Sequence, residues 1–226
     1  EWVAPPIVLS REPGLHRFVW PLRYAAAPAL AEGNPRADGP WAPPGRYTVV
    51  LEVDGSRSTQ PLTVAPDPRM KLPPEAYAAE LALARRIEEA RVREAKASQE
   101  IEKVDEALAE RRKGANPETA KALDALGKRV QEISGATHPA SAWWLLPKTT
   151  TSLRFVSDAL GKLAAAVESA DAAPSPDAVS GFEQAKATLD AIVAAWETVK
   201  TKDLAAVNAR LKEVGQAAIV LTPATP

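Results

Sequence analysis

Apolar and polar residues alternate in short runs along the first part of the chain, and proline and glycine separate the runs. The clearest alternation extends from Tyr47 to Val53, and Asp-Gly at 54–55 then leads into a second run. Alternation with a period of two is typical of a strand with one covered face, and Asp-Gly favours a two-residue hairpin turn. The pattern therefore predicts a β-hairpin. Shorter runs rich in β-branched and aromatic residues predict two more strands, at 7–10 and 15–20.

From Pro73 onward the apolar residues recur at steps of three and four, which is the spacing of one helix face. A first helix is predicted from Pro73 to about Arg112. Asn116 is a typical N-cap and Gly135 a typical stop, so these residues bound a second helix. Two more helices are predicted from apolar seams, which consist of Leu153, Val156, Leu160, Leu163 and Val167, and of Phe182, Ala185, Leu189, Ile192, Trp196 and Val199.

Helices whose seams keep these steps without a slip pack along one another at a shallow angle. We therefore predict an up-and-down bundle of four helices. Asp203 is expected to cap a short last helix, which an apolar tail follows.

Composition changes where the period changes. The first 74 residues hold 14 of the 21 prolines, and every basic residue before Lys71 is an arginine. A shift of this kind marks a domain boundary. The sequence predicts an α+β protein of two domains, a β domain over residues 1–70 and a helical domain over residues 71–226.

Residues 25–45 are mostly Ala, Pro and Gly. Because proline at this density cannot donate a full ladder of hydrogen bonds, we expect a loop that lies over the sheet. Loops of this length are more often functional than short ones. The segment, with Trp41 in it, is a candidate contact surface.

Charge and composition exclude some classes of partner. Lys and Arg number 28 against 29 Asp and Glu, so the surface has no net attraction for phosphate backbones, and nucleic acid is not expected as a partner. No apolar run approaches the roughly 20 residues of a membrane span. The absence of cysteine removes disulfides and thiolate chemistry.

The motifs of catalysis and cofactor binding are absent from the sequence. His16 and His138 are the only histidines, and neither has a second ligand at metal-binding spacing. There is no G-x-S-x-G nucleophile motif and no glycine-rich phosphate loop. We therefore predict no catalytic, cofactor-binding or metal-binding residue, no cofactor, and a protein that is not an enzyme.

The most unusual apolar cluster lies in a predicted loop between helices. Trp143, Trp144, Leu145 and Leu146 follow one another there, and apolar surface costs about 25 cal/mol per Å² when it stays in water. Either these side chains plug the end of the bundle or pack on the β domain, or they bind another domain or chain. With Trp41, these four residues are the candidate interaction residues.

Two stretches carry a family resemblance. "EPGLHRFVWPLRY" and "PPGRYTVVLEVDGSRSTQPLTVAPDPR" resemble the region that follows the β-propeller in bacterial sortilin-like, Asp-box (BNR) repeat proteins, which are often labelled glycosyl hydrolases. Their pattern of Gly, Trp, Gly and Tyr also looks like the Ig-like domain of the flagellar hook-capping protein. The helical continuation through "AWETVKTKDLAAVNARLKEVG" is similar to the same region. In those relatives the first strand usually ends in Trp-Asp, whereas here Pro21 follows Trp20.

The resemblance implies an Ig-like or fibronectin III-like antiparallel β-sandwich. Such a sandwich has about seven strands and only four or five are predicted, so it is incomplete unless earlier strands, the 25–45 loop or a neighbouring chain completes it. The resemblance also implies a periplasmic or secreted, non-catalytic accessory region. This region would brace the propeller of the same parent protein or mediate assembly with another chain.

An alternative function is a carbohydrate or cell-surface binding module. It would use Trp41 and neighbouring aromatic side chains as a flat platform for a sugar ring. The strand pattern places Trp20 and Tyr47 in a core by default, so Trp41 is the residue that this alternative needs most.

Overall fold

The computed structural model describes residues 11–32, 37–135 and 151–221, most of which are helical. In chain order the elements are β1 (Arg23–Ala25), α1 (Pro28–Ala31), β2 (Asp38–Trp41), β3 (Gly45–Val53), β4 (Ser56–Val64), α2 (Pro74–Arg112), α3 (Pro117–Ser134), α4 (Leu153–Val167), α5 (Pro176–Thr198), a π-helical turn (Val199–Asp203) and α6 (Leu204–Glu213).

The predicted Ig-like or fibronectin III-like β-sandwich is wrong. Within the described ranges, the strands form two separate two-stranded sheets, β1 with β2 and β3 with β4. A sandwich needs two sheets that cover each other's inner face, but Val49, Leu51 and Val53 are each at least 50% exposed. Residues 15–20 join no ladder. The fold is mostly helical with two small sheets, and the predicted strand at 7–10 lies outside the described residues.

The predicted hairpin is confirmed. β3 and β4 are each nine residues long and pair antiparallel in an unbroken register from Gly45 opposite Val64 to Val53 opposite Ser56. Asp54 and Gly55 both have positive φ, 49° and 78°. Two such residues form a type I′ turn, whose twist matches that of the flanking strands.

The ends of the long helices agree with their sequence signals. α2 begins at Pro74 after an extended Pro73, where the missing N–H of proline costs no helical hydrogen bond. Asn116 caps α3, since its side chain accepts a hydrogen bond from the Thr119 N–H. Gly135, with φ of 92°, ends α3.

α3 packs antiparallel against the C-terminal half of α2. Arg112, the last residue of α2, binds Asp124 with an Nε to Oδ1 distance of 2.7 Å. One turn earlier on α2, Leu108 lies beside Gly127, one turn later on α3. The two helices therefore run in opposite directions.

α4 packs antiparallel against the N-terminal half of the same helix. The Ser157 hydroxyl donates to Glu94 of α2, and Ala164 of α4 and Ala84 of α2 line one small cavity. α3 and α4 thus follow each other along α2 in the same direction. Gly135 approaches Ser152 so closely that a Cβ on Gly135 would lie 2.8 Å from the Ser152 hydroxyl oxygen.

The last long element runs parallel to α2. Arg86 binds Glu183 near the start of both helices, and Glu100 binds Lys200 further along both. The bundle therefore consists of three rods: α2 and the rod of α5, the π turn and α6 run in one direction, and the rod of α3 and α4 runs in the opposite direction. The predicted up-and-down arrangement of four helices is wrong because α3 and α4 share one rod.

The π turn resolves a change of phase in the apolar seam. The seam proceeds in steps of three and four up to Val199, and the next buried residue, Leu204, comes five positions later. The Leu204 N–H bonds to the Val199 carbonyl, which is the i to i+5 bond of a π turn. Asp203 therefore lies inside a continuous rod, and its predicted role as an N-cap is wrong because its side chain makes no capping bond.

All three rods contribute to one hydrophobic core, whose members lie between Leu83 and Ile219. Burying one large apolar side chain contributes about 1.5–3 kcal/mol to stability. The domain boundary at residue 70 stays a prediction. The largest fully buried apolar side chains are Trp196, Phe182, Ile87, Leu153, Leu160, Leu189 and Leu211.

Candidate interaction surface

Four of the five predicted interaction residues, Trp143, Trp144, Leu145 and Leu146, lie outside the described residues. The fifth, Trp41, is the last residue of β2 and is 43% exposed. Of these five residues, Trp41 is therefore the one whose position the structure describes.

The sheet of β1 and β2 is fixed to the bundle through Arg23. Its Nη1 donates to the Gly39 carbonyl at 2.8 Å and to Glu168, just after α4, at 2.9 Å. The same guanidinium lies 3.8 Å above the ring centroid of Trp41. One face of the indole is thus covered by a cation, a contact that itself stabilises the sheet.

The segment predicted as a loop over the β-sheet lies on the bundle instead. Gln99 of α2 donates to Glu32 just after α1, and the Ala27 N–H donates to Glu88 of α2 at 3.3 Å. This segment contains α1 and β2, so short elements replace the expected loop. Its described residues from α1 to Glu32 therefore lie against α2.

We call the hairpin from Gly45 to Val64 the apolar ribbon. Val49, Leu51 and Val53 on one face are 50%, 50% and 54% exposed, and Val50 on the other face is 43% exposed. Large contiguous apolar surfaces are rare on monomeric proteins, so the apolar ribbon is a candidate interaction surface. The sequence contained a sign of this, because Val49, Val50 and Leu51 are apolar in succession and so make both faces of the strand apolar.

The base of the apolar ribbon is held by aromatic contacts. The Trp20 and Tyr47 rings are 5.3 Å apart at an angle of 66°, and the Tyr47 hydroxyl donates to the Pro43 carbonyl at 2.6 Å. Burial raises the pKa of the Tyr47 phenol. The Trp20 and Tyr47 rings are thus inclined to each other, and one face of the Trp41 ring is covered by Arg23.

A cleft of about 710 Å³ separates the ribbon base from α2. Its walls include Pro43, Val64, Leu72 and Leu81, with Tyr77 of α2 among them. Among the described residues, the Tyr77 hydroxyl is buried and has no hydrogen-bond partner. The ribbon therefore meets the bundle over an incompletely filled contact, which agrees with its projecting from the bundle.

An acidic cluster lies on the bundle close to this junction. Burial, together with the negative charges of Asp171 and Glu168, raises the pKa of Glu80 to about 7, against a hydrogen bond from the Ala172 backbone that lowers it. A carboxyl group in these surroundings is protonated below neutral pH. The stability of this end of the bundle therefore depends on pH in the physiological range.

In the part of the chain that the structure describes, no group of three or more His, Cys, Asp or Glu side chains is arranged to hold a metal ion. The helices in that part include none with the length and hydrophobicity needed to cross a bilayer. Comparisons with family models, curated proteins and solved structures found no match to this chain.

Proposed function

We propose that the chain is a non-catalytic protein-assembly module. The helical bundle is its stable body, and the apolar ribbon is the surface that binds another protein. The observation that carries the proposal is the exposure of Val49, Leu51 and Val53, each at least 50%, on a hairpin with its own well-defined turn. A two-stranded hairpin is marginally stable alone in water, and a partner that covers it supplies the missing contacts.

The family resemblance supports a wider setting for this function. In that setting the chain is the accessory region of an exported bacterial β-propeller protein, located in the periplasm or outside the cell. It braces the propeller or mediates assembly between chains. The alternative of a carbohydrate or cell-surface binding module stays a prediction that none of the described contacts favours.

The test replaces Val49 and Val53 together with threonine, which keeps β propensity and removes apolar surface. The matched control replaces Val179 and Val214, exposed valines of the bundle at 39% and 42%. Association is measured by analytical ultracentrifugation for the chain alone and for the chain mixed with the β-propeller domain that the proposed setting places in the same polypeptide. We expect the ribbon variant to weaken one of these associations at least about tenfold and the control to leave it unchanged.

The proposal is contradicted if the ribbon variant associates as strongly as the native chain in both measurements, alone and in the mixture. Circular dichroism of the two variants shows whether the bundle is intact. Because the ribbon contributes no residue to the described core, we expect unchanged helical content in both.

A further inference from the structure

We propose that the protein bound by the apolar ribbon is a second copy of this chain. The two ribbons pair through the outer edge of β3, antiparallel and with a two-fold axis at Val49. This inference rests on the proposed function and names its partner. Four observations carry it: the parity of the ribbon's hydrogen bonds, a proline on one edge only, the placement of two charges, and the apolar face.

The hydrogen-bond parity follows from the turn. In a type I′ turn the Val53 carbonyl accepts from the Ser56 N–H, so these paired residues exchange the ladder bonds. Bonded and non-bonded pairs alternate along an antiparallel ladder. Every second residue of β3 therefore directs its N–H and carbonyl away from β4. By the observed register these residues are Arg46, Thr48, Val50 and Glu52.

The two edges of the ribbon differ in their capacity to pair. On β4, Pro61 lies opposite Thr48, at an outward position, so one of the outward positions near the middle of that edge has no N–H to donate. Proline on an edge strand is a common protection against further pairing. The β3 edge has no proline, and among the described residues only β4 pairs with β3. The β3 edge is thus the one that is open to another strand.

The charges on β3 are complementary to those of a second β3. An antiparallel register centred on Val49 places Arg46 opposite Glu52 of the second copy, and the two-fold axis repeats this pair. The same register places Thr48 opposite Val50, so all four outward positions bond to one another. Opposite charges directly across a ladder stabilise it.

Neighbouring registers lose these features. A shift of two residues in one direction leaves Arg46 opposite Val50 and Glu52 beyond the end of the facing strand. A shift in the other direction places Arg46 opposite Asp54, whose φ of 49° takes the chain out of the strand. Only the register centred on Val49 uses all nine residues of both strands.

The pairing also joins the apolar faces of the two ribbons. Val49 lies beside Val49 of the second copy, and Tyr47 lies beside Leu51 on each side of the axis. The product is a four-stranded sheet, and three or more strands with an apolar face are enough for independent stability.

The strand contact buries less than the roughly 1,200 Å² of a standard interface. We therefore expect a weak dimer, with a Kd of roughly 10–500 µM.

The first test exchanges the charges. Glu52→Arg gives a chain with two facing arginines, and Arg46→Glu gives one with two facing glutamates. We expect each variant alone to dimerise about tenfold or more weakly than the native chain, and the equimolar mixture to form a heterodimer, measured by sedimentation velocity. The control Glu52→Arg with Arg57→Glu keeps opposite charges across β3 and β4 and is expected to remain weak.

The second test removes one outward N–H from each edge. Thr48→Pro alters the β3 edge and Thr59→Pro the β4 edge; neither N–H belongs to the ladder within the ribbon. We expect Thr48→Pro to abolish dimerisation and Thr59→Pro to leave it unchanged. Equal effects of the two prolines would overturn the assignment of the edge.

The results separate this inference from the proposed function. A native chain that stays monomeric at millimolar concentration, or a charge-exchange mixture without heterodimer, overturns pairing with a second copy. If the Val49 and Val53 threonine variant still loses binding to the β-propeller domain of the proposed setting, the assembly function stands with a different partner. If the native chain stays monomeric and the threonine variant binds the β-propeller domain as well as the native chain does, both proposals are wrong.

Discussion

The last rod of the bundle and the first strand of the ribbon both carry a regular series of apolar residues, but they differ in what covers them. On α5, Leu189, Ile192 and Trp196 are at most 5% exposed, whereas on β3 Val49 and Leu51 are each 50% exposed. The helix meets two other rods of the same chain, whereas among the described residues β3 pairs only with β4. A periodic pattern thus identifies the apolar face and leaves open which chain covers it.

The largest expected effect on stability comes from shortening a buried apolar side chain of α5. Trp196→Ala removes a ring that is 1% exposed and whose Nε1 donates to Glu100 at 2.7 Å. We expect a loss of about 3–5 kcal/mol in the free energy of unfolding, measured by urea denaturation. Leu51→Ala on the ribbon is expected to cost under about 1 kcal/mol. Equal losses of unfolding free energy in the two variants would mean that the ribbon is covered in solution. The contrast between the buried helix face and the exposed strand face would then be wrong.

A second pair of variants compares the anchored sheet with the ribbon. A Cβ on Gly39 would lie 2.7 Å from the Ala25 carbonyl oxygen, whereas the nearest atom to a Cβ on Gly45 is 3.8 Å away. We expect Gly39→Ala to destabilise the β1–β2 sheet by about 1–3 kcal/mol, because the backbone must shift. Hydrogen exchange at the Ala42 amide, which bonds to the Leu22 carbonyl, measures the opening of this sheet.

Gly45→Ala is the control for this substitution. Its new methyl group makes only ordinary contacts, so exchange at the Ala42 amide is expected to stay as in the native chain. Faster exchange in both variants would show that the small sheet depends on the ribbon, contrary to its attachment through Arg23.

The smallest of the three effects depends on pH. Glu80 has a folded pKa of about 7, against 4.5 for the free side chain. Between these values the folded chain holds a proton that the unfolded chain has released, so the stability contributed by this group falls as pH rises from about 4.5 to 7 and is constant above. Glu80→Gln removes this dependence. At pH 8 we expect the variant to be about 1–2 kcal/mol more stable than the native chain, since solvent screens part of the charge.

The measurement is urea denaturation at pH 5 and pH 8. The stability gain of Glu80→Gln is expected to be small at pH 5 and to reach its full value at pH 8. Asp171→Asn is a useful companion because it removes one of the charges that raise the pKa of Glu80. A gain that is the same at both pH values would contradict the assignment of a raised pKa.

Local signals of the sequence were sufficient for the ends of α3 and for the hairpin turn, but not for Asp203. Asn116 and Gly135 bound α3, and Asp54 with Gly55 closes the hairpin, because each acts through hydrogen bonds or dihedral angles of its immediate neighbours. The five-residue step from Val199 to Leu204 was also readable. It predicts a change of helix phase, and the π turn provides it.

The number of rods and the sheet architecture depend on distant contacts, which local signals do not contain. The end of α3 at Gly135 has the same sequence signal whether the next helix reverses direction or continues. Only the approach of Gly135 to Ser152, and of Ser157 to Glu94, places α4 in line with α3. The candidate site was missed in part for the same reason. Trp41 looked available, but Arg23, 18 positions earlier in the chain, covers one face of its ring.

The single proline in β4 has a consequence for the size of the assembly. A two-stranded ribbon with two open edges can pair with another copy of the chain at each edge. Repeated pairing of this kind has no limit and gives a fibre. Pro61 interrupts one side, so in the proposed dimer each outward edge carries a proline. Growth is therefore expected to end at two molecules, with Pro61 setting the stoichiometry.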